Sequence, residues 1–142
     1  MKRLTRYTLF FFLLISISCS NLNKVRTDGG RNFNGEVFNI LYVETELTEE
    51  ILVNRIKNVF GKPTSYTNGL VKYDLDAQNP LSNEPLSMII HLDSILHTSQ
   101  NELVFDYLSM DVIVHDQNQN DLLTDEKLRQ KGKKVFQQLI DN

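Results

Sequence analysis

The chain has 142 residues, with 15 basic against 18 acidic side chains and a net charge of −3 at neutral pH. This length is enough for one domain with its own core, and the acidic balance excludes a generically basic nucleic-acid-binding protein. Since Cys19 is the single cysteine, an internal disulfide and a cysteine-based zinc site are also excluded. We therefore expect neither a nucleic-acid partner nor a cofactor.

Residues 1–18 have the layout of a secretory signal peptide. Lys2, Arg3 and Arg6 come first, an apolar run of about nine residues begins near Leu9, and small residues lead up to Cys19. A membrane-spanning helix needs roughly 20 apolar residues, so this run is too short to be a permanent anchor. The sequence therefore predicts cleavage immediately before Cys19.

The segment Ser16-Ile17-Ser18-Cys19 resembles the processing site of bacterial lipoproteins. In that family a Leu, a small or aliphatic residue and then Gly, Ala or Ser precede the cysteine that receives the lipid. Ile17 and Ser18 fit this pattern, whereas Ser16 stands where Leu is usual. The resemblance implies a thioether-linked lipid on Cys19, which would anchor the protein to a membrane of the cell envelope. Because residues 16–18 also fit an ordinary signal peptidase site, a secreted soluble protein is the alternative.

Residues 19–35 are polar and rich in Asn and Gly, which predicts a flexible tether with a reach of about 20–25 Å. Surface-directed lipoproteins of some Gram-negative bacteria carry acidic residues soon after the lipidated cysteine. Ser20 to Lys24 contains none, so the resemblance favours the periplasmic face. The folded domain is predicted to span residues 36–142.

The first elements of that domain are a strand and a helix. The β-branched and aromatic residues 37–43 predict a strand. Thr48 is a natural N-cap for a helix with apolar residues at helical spacing, and Gly61 followed by Pro63 predicts its end. These signals place a helix between Thr48 and Gly61.

The remaining elements are four strands and a second helix. Asn68-Gly69 predicts a hairpin between residues 65–67 and 70–73, and strands are predicted over 86–96 and 103–115, joined by a turn at 98–101. Asp121 or Thr124 is expected to cap a C-terminal helix, in which Gly132 permits close packing against the sheet. The order β-α-β-β-β-β-α predicts an α+β fold: an antiparallel sheet of about 4–5 strands with two helices on one face.

His91, Asp93 and His97 share one face of a predicted strand because their spacings are even. If the next strand folds back as a hairpin, Asp111 and His115 approach them. Imidazole and carboxylate groups are zinc ligands, and a histidine oriented by a carboxylate can transfer protons. The spacing matches no strong metal motif, and a solvated sheet face explains the same residues.

Residues 116–121 place oxygen-bearing side chains at alternating positions, as a calcium-binding EF-hand loop does. However, Asp121 stands where that loop needs Gly, and Lys127 stands where it needs a bidentate Glu. Asp and Asn also form tight turns without any ion. The sequence therefore favours a turn over a calcium site.

Lys127, Lys131 and Lys134 form a stripe along the predicted C-terminal helix. A basic amphipathic helix can contact anionic lipid headgroups or a partner protein. The alternative is a solvated helix face whose cations suit the negative end of the helix dipole. Because the apolar side of this helix is needed for the core, deep insertion into a bilayer is not expected.

Residues 48–73 contain a helix that ends in a Gly-x-Pro step, followed by a hairpin that reaches Tyr73. This arrangement is similar to small outer-membrane lipoproteins of the BamE type, and the similarity implies a binding or scaffolding domain. The chain has no Gly-x-Ser-x-Gly motif and no phosphate-binding glycine loop. We therefore expect a non-enzymatic, lipid-anchored periplasmic module with a protein partner in the envelope. A small-ligand or metal-binding module, with possible enzymatic activity, that uses His91, Asp93 and His97 is the alternative.

Overall fold

A computed structural model describes the backbone of residues 21–98 and 104–142, and the side chains of residues 21–95 and 107–142. The turn predicted at residues 98–101 lies mostly outside this part of the chain. The described elements, in chain order, are the strands β1 (Arg26–Phe33) and β2 (Glu36–Thr45), helix α1 (Glu49–Phe60), the strands β3 (Ser65–Thr67), β4 (Leu70–Leu75), β5 (Leu86–Thr98) and β6 (Val104–His115), a short 3-10 helix (Leu122–Thr124) and helix α2 (Glu126–Asp141).

The strands form a six-stranded antiparallel sheet in the order β1-β2-β6-β5-β4-β3. The predicted α+β fold with an antiparallel sheet and two helices is confirmed. The prediction of 4–5 strands is too low, because residues 26–33 form β1 although they fall within the predicted tether. The sheet therefore begins ten residues earlier than the predicted domain boundary at residue 36.

Strand β1 exists because a tight hairpin joins it to β2. Asn34 and Gly35 both have positive φ, 52° and 85°, which is the conformation of the two-residue turn that matches the twist of paired strands. The Gly35 amide also donates to the Asn32 side-chain oxygen at 3.1 Å. The register shifts between Asp28 and Arg31, so the two glycines between them occupy an irregular stretch of the edge strand.

Both helices pack on one face of the sheet, and the main core lies between these two layers. Phe60 of α1 stacks on Phe136 of α2 with ring centroids 5.6 Å apart. Buried residues from the sheet complete the core, among them Leu41, Val43, Tyr73, Met88, Ile90, Met110, Val112 and Val114. The apolar stripes predicted for the two helices therefore face the same layer of the sheet.

The helix ends follow the expected capping chemistry with one correction. The Thr48 side chain accepts from the Ile51 amide at 3.3 Å, and Gly61 ends α1 with φ 81°. Asp125, rather than the predicted Asp121 or Thr124, caps α2 by accepting from the Leu128 amide. The reason is that Asp121 caps the preceding 3-10 helix, which delays the start of α2 by one short turn.

Gly132 lies in the middle of α2, where the helix crosses β2. A Cβ atom at this position would lie 2.8 Å from Leu41 Cδ1. A side chain here would therefore require the Leu41 side chain or the helix to shift. The close packing predicted for Gly132 is confirmed.

The opposite face of the sheet carries a second, smaller apolar cluster. Phe38, Ile40, Ile89 and Ile113 are buried there, and Phe33, Tyr42 and Leu70 pack against them while partly exposed. The two described α-helices lie on the other side of the sheet, so we call this surface the helix-free face. Its apolar centre is flanked by charged side chains, which form the candidate site.

Candidate functional site

The N-terminal segment is attached to the domain almost as soon as the described chain begins. The Asn23 amide donates to the Glu44 carbonyl at 2.8 Å. The Gln137 side chain of α2 then donates to the Asn23 carbonyl and accepts from the Val25 amide, both at 2.8 Å. Cys19 lies outside the described residues, but only residues 20–22 separate it from Asn23. The described chain therefore begins at the end of the sheet where β2 terminates in Thr45.

Five side chains of β1, β2 and β6 form a charged group on the helix-free face, which we call the arginine–tyrosine cluster: Arg26, Arg31, Tyr42, Glu44 and Asp111. The guanidinium carbons of Arg26 and Arg31 lie 5.3 and 6.0 Å from the centre of the Tyr42 ring, within cation–π range. The Tyr42 hydroxyl donates to the Glu44 carboxylate. Burial, reinforced by that carboxylate, raises the pKa of Tyr42 to about 12, so the phenol stays protonated and remains a donor.

Asp111 is largely enclosed, with 14% of its side chain exposed. One carboxylate oxygen lies 3.4 Å from an Arg31 nitrogen. Burial raises the pKa of Asp111, and the positive charge of Arg31 opposes this rise. The second carboxylate oxygen and the Arg26 Nε atom are buried without a hydrogen-bond partner among the described residues. Two polar atoms of this cluster are therefore unsatisfied within the described chain.

The structure brings one pair of the predicted metal or catalytic residues together. His91 lies directly opposite Asp111 in the β5–β6 register, whereas Asp93 lies opposite Ser109. His91 and Asp93 are exposed, and the side chain of His97 lies outside the described residues. Within the described part of the chain, no three His, Cys, Asp or Glu side chains are grouped closely enough to hold a metal ion.

His115 is separated from His91 by several positions along the hairpin. It lies opposite Ser87 rather than His91. Its Nδ1 atom is 2.9 Å from the Asp116 carbonyl oxygen. Its ring is tilted relative to that of Phe38, with the ring centroids 6.5 Å apart. The expected approach of Asp111 to His91 is thus observed, but His115 does not join that pair.

An open cleft of about 260 Å³ lies at the other end of the helix-free face. Phe33 and Asn34 from the β1–β2 turn border one side of it, and Ile89 lies in its lining. The polar lining residues are Asn34, Thr64, Lys72, Asp74, Ser87, His115 and Gln119. The cleft is small and shallow for a drug-sized ligand, so we regard the arginine–tyrosine cluster as the stronger candidate site.

The loop after β6 has the geometry of a self-contained turn. The Asp116 carboxylate accepts from the amides of Asn118 and Asn120 and from the Asn120 side chain at 2.8–2.9 Å. These hydrogen bonds hold the pKa of Asp116 below its ordinary value. The carboxylate that would lead a calcium loop is therefore used by the backbone of its own turn.

The predicted lysine stripe lies on the outer side of α2. Lys127, Lys131 and Lys134 are all exposed, while Phe136, Leu139 and Ile140 of the same helix are buried in the core. Lys127 lies about 15 Å from Gln137 along the axis, at 1.5 Å per residue. The start of the stripe is therefore remote from the point where the N-terminal segment leaves the domain.

Comparisons of the chain with known protein families, with curated proteins and with solved structures found no match. Among the helices of the described residues, none has the length and apolar character needed to cross a membrane.

The sequence reasoning missed Arg26, Arg31 and Tyr42 as site residues because β1 was assigned to the tether. A signal for this strand was present in the chain. Asn34-Gly35 is the same dipeptide as Asn68-Gly69, and it also precedes a strand. Reading it as a hairpin would have placed the two arginines beside Tyr42.

Proposed function

We propose that this protein is a lipid-anchored component of the cell envelope that faces the periplasm and acts as a non-enzymatic binding module for a protein partner. The signal peptide and Cys19 support the anchor. The arginine–tyrosine cluster on the helix-free face is the single observation that carries the binding role.

The chemistry of this cluster suits a protein interface. Arg and Tyr are enriched among the residues that dominate binding energy at such interfaces, because they combine large contact area with hydrogen-bonding groups. Arg26 and Arg31 are already ordered by Tyr42, so less side-chain entropy is lost when a partner binds. Arg31 keeps 52% of its side chain exposed and is accessible to that partner.

The exposed charge of the arginine–tyrosine cluster indicates the chemistry of the partner. The guanidinium of Arg31 is half exposed, and its N–H groups need acceptors. The Arg26 Nε atom and the free oxygen of Asp111 are buried, so a docking surface does not reach them. A partner surface that offers a carboxylate or carbonyl to Arg31 would fit this cluster.

The anchor is tested by labelling cells with an alkyne analogue of palmitate and fractionating their membranes. We expect the wild-type chain to be labelled and membrane-bound, and Cys19→Ser to be unlabelled and released. Equal labelling of the two chains, or no labelling of either, would refute lipidation at Cys19.

The binding role is tested with a photo-crosslinking amino acid placed at Asp28, an exposed neighbour of the cluster on β1, and at Lys131 as the exposed control. We expect one reproducible protein adduct from position 28 in intact cells and none from position 131. Arg26→Glu should abolish the adduct at position 28, since it reverses a charge in the cluster. Adducts that are equal at both positions, or that persist in Arg26→Glu, would refute a specific interface.

The adjacency of His91 and Asp111 supports a second candidate, a small-ligand or metal-binding site that uses His91, Asp93 and His97. If this candidate holds, zinc raises the melting temperature of the wild-type chain and His91→Ala removes the increase. A melting temperature that zinc leaves unchanged would eliminate zinc binding at this face.

A further inference from the structure

Strands β5 and β6 extend beyond the rest of the sheet as a two-stranded ribbon. β2 pairs with β6 only as far as the Thr45–Leu108 pair, and contact between β4 and β5 ends at the hydrogen bond from the Leu92 amide to the Gly69 carbonyl. Beyond these points, residues 95–98 pair with residues 104–107. At about 3.4 Å per residue, the paired part extends roughly 13 Å past its neighbours.

The ribbon is unusually apolar for a projecting hairpin. Five of its eight residues are aliphatic or aromatic, namely Ile95, Leu96, Val104, Phe105 and Tyr107. Successive residues of a strand belong to opposite faces, so the register places apolar residues on both faces of the ribbon. Among the described residues, no other strand pairs with its outer edges.

The ribbon and the start of the described N-terminal segment lie at the same end of the sheet. Asn23 is bonded to Glu44, one residue before the Thr45–Leu108 pair where the ribbon begins. Four residue steps separate Cys19 from Asn23, and at most about 3.5 Å per step gives a reach of roughly 14 Å. The ribbon and the stretched link are thus similar in length, so a bilayer that holds the lipid on Cys19 lies within reach of the ribbon.

We propose that the β5–β6 ribbon, residues 95–98 and 104–107, rests on the bilayer as a second contact beside the lipid on Cys19. This inference depends on the anchor proposed above. Unpaired strand edges are not tolerated in the hydrocarbon core. The ribbon therefore lies at headgroup depth.

The charges near the ribbon define the kind of lipid surface. Glu44, Glu46 and Asp93 lie close to its base, and Asp106 belongs to it. Anionic headgroups repel acidic groups, so the contact is apolar and does not require anionic lipid. A contact through Lys127, Lys131 and Lys134 would instead require anionic lipid.

The test uses the full, lipidated chain reconstituted into vesicles, in which the Cys19 thioether leaves no competing thiol. Ile95→Cys and Thr98→Cys each receive an environment-sensitive fluorophore, with Val37→Cys and Lys131→Cys as controls. Val37 is 67% exposed near the opposite end of the sheet. Folding of each variant is checked by circular dichroism, and lipid on Cys19 by palmitate labelling of the same sample.

We expect the probes at positions 95 and 98 to be blue-shifted and to lose emission with a quencher near the headgroup, more than with one deep in the acyl chains. These changes should occur in phosphatidylcholine alone and should not increase with added phosphatidylglycerol, and the two controls should be unaffected. If the chain carries lipid and is membrane-bound but the probes at 95 and 98 are unquenched, the ribbon contact is refuted and the anchor is not. This result is expected if a protein partner covers the ribbon.

Quenching at position 131 that requires phosphatidylglycerol would show that the lysine stripe, and not the ribbon, contacts the bilayer. A chain without lipid on Cys19 would refute the anchor instead.

Discussion

Gly69 provides the sharpest test of how the base of the ribbon is built. It has φ 75°, and an added Cβ would lie 2.4 Å from the Leu92 carbonyl oxygen, so that Gly69→Ala must move backbone atoms. The left-handed conformation costs an alanine about 1–2 kcal/mol, and loss of the hydrogen bond from the Leu92 amide to the Gly69 carbonyl costs about 0.5–1.5 kcal/mol. With some added strain, we expect a loss of about 2–4 kcal/mol in the free energy of unfolding, measured by urea denaturation.

Gly35 is the matched control for this substitution. It occupies the second position of the other Asn-Gly turn with φ 85°, and nothing lies within 4 Å of its added Cβ. Gly35→Ala should therefore cost only the conformational part, about 1–2 kcal/mol. Equal losses for the two variants would refute the close approach of Gly69 to Leu92.

Three further predictions concern single side chains. Asp121→Ala removes the carboxylate that accepts from the Asn39 amide and side chain at 2.7 and 2.8 Å. This change should lower the free energy of unfolding by about 2–4 kcal/mol. A loss below about 0.5 kcal/mol would contradict this. Because the folded pKa of Asp111 is raised, its ionisation destabilises the wild type as pH rises through and above the ordinary carboxyl range. The free energy of unfolding of Asp111→Asn, relative to that of the wild type, should therefore be higher at pH 7 than at pH 4 in urea denaturation. A difference between the two proteins that does not change with pH would contradict this. Gln137→Ala should speed hydrogen exchange of the Val25 amide about tenfold, whereas unchanged exchange would show that this bond does not hold the N-terminal segment.

Elements with both a start and a stop signal were predicted well from the sequence. Thr48 and Gly61 bound α1 as expected, since each signal acts through a local backbone hydrogen bond or dihedral angle. The Asn68-Gly69 hairpin is confirmed for the same reason, with φ 49° and 75°. Such features depend on neighbouring residues alone, so the sequence contains them completely.

Strand β1 could not be read from hydrophobic alternation. Between Val25 and Phe33 it consists of polar residues and two glycines, and most of its residues are exposed. It is stabilised by the edge of β2 and by the Gln137 contact with Val25, which joins residues 112 positions apart. The arginine–tyrosine cluster depends on this strand, for which the Asn34-Gly35 turn is the local signal in the sequence.

The two outer strands restrict how the sheet can associate. β3 has three residues, and β1 is interrupted by a register shift between Asp28 and Arg31. Short or irregular edges discourage further strands from pairing with a sheet. Copies crowded together in two dimensions would thus be kept from fusing edge to edge, and recognition would proceed through side chains rather than through added β-structure.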